Sequence, residues 1–123
     1  MNIKTIEQKN TLIAFVHSYE IIIKDVQSAL DFAMTIQYET GSDIIAINKD
    51  AITEDFFLLR TCLAGDILQK FVNYHIKFTK IGDFSNYQSK SLKDFIYECN
   101  HGKDVFFVGS EEEAIEKLVS LAH

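Results

Sequence analysis

Arg60, Thr61, Asp83, Ser85, Tyr87 and Ser89 are the residues of this chain whose types could recognise a ligand. A guanidinium presents a planar fork of donors that matches carboxylate and phosphate oxygens, and the hydroxyls and the carboxylate would orient a small anion beside it. No catalytic set accompanies them. His17, His75, His101 and His123 show neither H-x-x-H nor H-E-x-x-H spacing, so no metal site is expected. Cys62 has no base near it in sequence, and Cys99 falls on an apolar helix face where a buried packing role is expected. The 5 glycines form neither G-x-G-x-x-G nor G-x-x-x-x-G-K-[ST], which disfavours nucleotide binding of the Rossmann or P-loop kind. No catalytic residue and no cofactor is assigned, and a binding role is favoured over an enzymatic one.

These residues depend on the elements that carry them. Residues 11–16 and 20–23 are apolar runs that fit strands, and Asp25 can cap a helix in which Val26, Ala29, Leu30, Ala33 and Ile36 recur at helical spacing before Gly41. Residues 44–47 are apolar throughout, as in a parallel strand covered on both faces. Thr53 is a fair N-cap for a core helix over 54–73, whose apolar arc of Phe56, Ala64, Ile67 and Phe71 would enclose Arg60. A guanidinium in such a stripe needs partners. Two readings follow: a structural salt bridge to Asp50, Asp83 or Glu54, or an anion-recognising group beside Thr61 and the 83–89 loop.

Residues 75–81 alternate apolar and polar at first, which predicts a strand with one solvated face or one at the sheet edge. Ser89 can cap a helix whose Leu92, Phe95, Ile96 and Cys99 share a face, with Gly102 placed to stop it. Asp83 and Ser85 are also ordinary turn formers, so the loop has a purely structural reading as well. Residues 105–108 form another apolar strand, and Ser110 with Glu113 makes a capping box for the last helix. The order is β-β-α-β-α-β-α-β-α after a polar stretch over residues 1–10. That order predicts one α/β domain over 1–123 with a mostly parallel or mixed sheet packed with helices, its ligand edge at the strands' carboxyl ends.

Composition narrows the partners. A chain of 123 residues with 47% hydrophobic and 24% charged residues can bury one core. The net charge of −6 argues against a nucleic-acid backbone, which is bound through clustered Lys and Arg. No apolar run approaches a membrane span and the first residues lack a signal-peptide core, so a cytoplasmic protein is expected.

The segment L-R-T-x-L-A-G-D-I-L-Q-K-F-V-N-Y, the following G-D-F-S, and S-K-S-L-x-D-F-I-x-E-C-N-x-G resemble the bacterial domain-of-unknown-function family 4180. The resemblance implies a glycine where this chain has Cys62 and commonly a glutamate where it has Asp66. The element order, with S-E-E-E-A-I-E-K-L after the last strand, is also similar to STAS domains. That likeness implies a STAS-like regulatory or protein-interaction module whose partner is a second copy of the chain or another protein. The D-S-[ST]-G pattern of the phosphorylated STAS members is missing at residues 53–56, so no phosphorylation switch is carried over.

Overall fold

The computed structural model describes residues 1–122, so His123 lies outside the described residues. Its strands are β1 (Asn2–Gln8), β2 (Thr11–His17), β3 (Ile44–Asn48), β4 (Lys77–Ile81) and β5 (Val105–Val108). They form one sheet in the order β1-β2-β3-β4-β5, antiparallel between β1 and β2 and parallel elsewhere. The helices are α1 (Val26–Thr40), α2 (Leu63–Asn73), α3 (Lys90–Asn100) and α4 (Glu111–Ala122). The α/β class, the mixed sheet and the strand and helix order agree with the sequence reading.

Alternation along the strands divides the core in two. Ala14, Val16, Ile45, Ile47, Phe78 and Phe107 face the layer built by α1, α2 and α3. Ile13, Phe15, Ala46, Phe106 and Val108 face α4 on the other side, where Ala114, Leu118 and Val119 meet them. Consecutive strands in one direction with right-handed crossovers put α1, α2 and α3 on one face. The outer edge of β5 is closed by a side chain: Asn100 of α3 accepts from the Phe107 N–H at 2.8 Å and donates to its carbonyl at 3.1 Å.

The caps expected at Asp25, Ser89 and Ser110 form. The Asp25 carboxylate accepts from the Ser28 N–H, whose hydroxyl returns to the Asp25 backbone. Ser89 accepts from Leu92 N–H, and Ser110 from Glu113 N–H. Gly41 ends α1 at φ 78, a left-handed conformation that glycine takes without a Cβ penalty.

Five expectations need correction. The polar residues 1–10 supply β1, joined to β2 by a two-residue turn in which Lys9 and Asn10 both have positive φ (50 and 66), as a type I′ hairpin requires. Residues 20–23 form no strand, only an Ile23 bridge to Ile52. The 54–73 helix is broken. Glu54–Phe57 and Leu59–Thr61 are separate 3-10 turns, Cys62 is left-handed at φ 62, and α2 starts after it. Thr61 explains part of the break: its hydroxyl lies 2.8 Å from the carbonyls of both Asp55 and Leu58 and shares its one proton between them, offering the chain an alternative to the helical ladder. Thr53 caps nothing. Finally, β4 is an inner strand between β3 and β5, and both Thr79 and Lys80 are 0% exposed, so it has no solvated face.

Candidate functional site

The carboxyl edge of the sheet is a layer of loops tied to one another. Asn48, ending β3, clamps the loop after β2 by accepting from Ser18 N–H at 2.9 Å and donating to Ser18 carbonyl at 2.7 Å. Lys49 then crosses the exit of β4, where a Cβ on Gly82 would lie 2.7 Å from the Lys49 Cβ, so only glycine fits. Its ammonium reaches the Asp83 carbonyl at 3.5 Å and stands 4.6 Å from the ring centre of Tyr87, with Phe57 and Phe84 at 6.0 Å. Tyr87 stacks on Phe57 at 5.3 Å and donates its hydroxyl to the Glu54 carboxylate at 3.1 and 3.2 Å. Burial first, and then Glu54, push that phenol well above the ordinary tyrosine range.

Beneath this layer lies Lys80. Its side chain points from β4 into the helix-covered core, with no hydrogen-bond partner for Nζ among the described residues and ring centres of Phe107, Phe78 and Phe56 at 3.9, 4.9 and 5.6 Å. Burial pulls its pKa down to about 7, opposed only by the neighbouring Cys99 sulfur. Cys99 is half-buried in turn, and burial raises its thiol, so this is not a thiolate nucleophile.

The residues proposed from sequence divide into four groups. Asp83 and Ser85 meet: the carboxylate accepts from Ser85 hydroxyl at 2.5 Å and Ser85 N–H at 2.9 Å, a closed turn that lowers the Asp83 pKa through those bonds. Tyr87 joins the aromatic layer rather than that turn. Arg60 and Ser89 line one recess of about 320 Å³ with Phe57, Leu58, Leu59 and Ser91. Thr61 is spent on its own 3-10 turn. Arg60 itself is exposed, and among the described residues it has no ion pair, so the buried salt bridge to Asp50, Asp83 or Glu54 is not formed. The apolar stripe that was to enclose it required a helix that the chain does not make.

Sequence reasoning missed Lys49 and Lys80. The signal available for Lys49 was its place directly after a buried strand, at the expected ligand edge. For Lys80 the signal was parity: it stands two residues after Phe78 and four after Ile76, on the apolar face of its strand. Among the described residues, no group of three His, Cys, Asp or Glu side chains could hold a metal. No described helix is long and apolar enough to cross a membrane.

A family model described as "Domain of unknown function (DUF4180)" matches residues 8–118, which take in β2 to β5, α1 to α3 and most of α4. The chain belongs to the DUF4180 family. No curated protein and no solved structure matches it. In this DUF4180 chain, the geometry of residue 62 gives a physical reason for the glycine that the resemblance implied there. The left-handed φ of 62 suits glycine, and a cysteine holds it under strain.

Proposed function

We propose that this chain is a non-enzymatic regulatory or protein-interaction module of STAS-like type, acting in the cytoplasm through the carboxyl edge of its sheet. The observation that carries the reading is what fills that edge. In sheets of this kind a small ligand sits outside the strands' carboxyl ends. Here the ground beside Asp83 is taken by Phe57, Phe84, Tyr87 and Lys49 of the chain itself. Loops leaving the same edge carry Tyr19, Ile21 and Leu58, which are 91%, 47% and 39% exposed. Large side chains turned outward there suit a protein surface better than a small molecule. The STAS-like assignment rests on element order and is analogy at the level of the fold.

A second copy of the chain is the first partner to test. Light scattering over a dilution series is expected to show a wild-type dimer that dissociates on dilution and a Leu58→Asp variant that stays monomeric. A wild type that is monomeric at every concentration refutes self-association.

A second reading is favoured by Arg60, an unpaired guanidinium beside a recess that also holds Ser89 and Ser91. It makes this corner a small-anion site. Phosphate, sulfate or small carboxylates would then raise the melting temperature in a concentration-dependent way. Arg60→Gln is expected to abolish that rise, and no rise in wild type removes the reading.

A further inference from the structure

Lys80 sits in a cage whose walls differ in strength. Phe78 and Phe107 stand on the adjacent strands β4 and β5, held by the ladder of the sheet. The roof is Phe56, carried by the 3-10 turn Glu54–Phe57 and continued by the turn Leu59–Thr61. That roof holds itself with short-range bonds, Phe56 N–H to Thr53 carbonyl, Leu58 N–H to Asp55 carbonyl and Thr61 N–H to Leu58 carbonyl. Its side-chain tie to the rest of the edge is the bond from Tyr87 hydroxyl to Glu54, and Thr53, which leads into it, donates its N–H to the Ile23 carbonyl at 2.9 Å. Short 3-10 turns have poorer hydrogen-bond geometry than α-helix or sheet, and local opening draws on such segments first.

The charges facing Lys80 can be named wall by wall. β3 offers Ile47 across the register, β5 offers Phe107, and the roof offers Phe56 while Glu54 and Asp55 stay exposed. Lys49 and Asp50, just past β3, belong to the outer layer with Tyr87. From α3 comes the Cys99 thiol, kept protonated by burial. No carboxylate among the described residues pairs with Nζ. Ring faces attract an ammonium, but they supply none of the hydrogen bonds that its three donors lose on leaving water.

We propose that Lys80 is a charge trigger for this roof: protonated, it drives the turns Glu54–Phe57 and Leu59–Thr61 off the core so that water reaches its ammonium, and neutral, it lets them seat. The lowered pKa of about 7 places the change close to neutral pH. The proposal concerns the motion of the turns and stands whether or not the carboxyl edge binds a partner.

The test is a pH titration by NMR of wild type and Lys80→Met, following lysine side-chain carbons and backbone amides together. A lysine signal absent from Lys80→Met is expected to titrate with its midpoint near 7. The amides of residues 54–61 are expected to shift with the same midpoint and, on the acid side, to lose about tenfold or more of their exchange protection relative to β2. In Lys80→Met they keep their alkaline positions and protection throughout. Three results overturn the proposal: Lys80 titrating at the ordinary lysine value, residues 54–61 unchanged while Lys80 titrates, or the same change in Lys80→Met.

Discussion

Lys49 and Lys80 each bring an ammonium nitrogen against three aromatic rings, at 4.6 to 6.0 Å for the first and 3.9 to 5.6 Å for the second. The rings are closer around Lys80, yet Lys49 is the better placed of the two. Lys49 has a carbonyl within reach and lies nearer the surface, whereas Lys80 is fully buried and its Nζ has no hydrogen-bond partner among the described residues. Aromatic faces attract a cation without replacing its hydration. Burial, rather than ring contact, therefore decides which lysine costs stability.

The contrast is sharpest if Lys80 is removed. Replacing it with methionine keeps the volume and discards the amine, and should raise the unfolding free energy at neutral pH by roughly 2–4 kcal/mol, measured by urea denaturation. A destabilised Lys80→Met would break the comparison outright. The same origin sets a pH dependence. Between its folded pKa of about 7 and its ordinary 10.5, Lys80 binds fewer protons folded than unfolded. Wild-type stability should therefore climb across that window, by up to about 1.4 kcal/mol per pH unit, with no slope from this group below it. The contribution should vanish in Lys80→Met.

A smaller effect is expected at the far end of the roof over Lys80. Cys62→Gly relieves the left-handed strain, set against glycine's greater freedom when unfolded, and should stabilise by roughly 0.5–1 kcal/mol. A loss of stability there would mean that the cysteine side chain outweighs its backbone strain. The smallest effect belongs to Lys49→Met, expected to change stability by less than about 1 kcal/mol in either direction. A gain equal to that of Lys80→Met would erase the distinction between the two lysines.

What could be read from the sequence follows from how local each cause is. Asp25, Ser89 and Ser110 announce their helices because a cap is settled within four residues. The apolar runs of β2, β3 and β5 state their own burial. The polar β1 does not, because as an outer strand it buries little beyond Ile3 and Ile6 and is recognised only by its pairing with β2. Asp83 and Ser85 are two residues apart and their turn was foreseeable, whereas Glu54 and Tyr87 meet across 33 positions. Thr79 misleads for the same reason: the alternation of β4 puts Lys80 on the apolar face of Phe78 and Thr79 on the other, but strand order places both faces indoors. Arg60 was misplaced because its surroundings were inferred from a helix that Thr61 and the left-handed Cys62 interrupt.

The amide of Asn100 gives Phe107 both hydrogen bonds that a sixth strand would have offered. The sheet thus has one margin blunted at Phe107 and one margin, β1, without such a plug among the described residues. Growth of a fibre by strand addition needs two adhesive margins per molecule, so that each newcomer offers a fresh one. With only β1 available, pairing two molecules through their sheets uses up both free margins at once. Such an encounter ends at two.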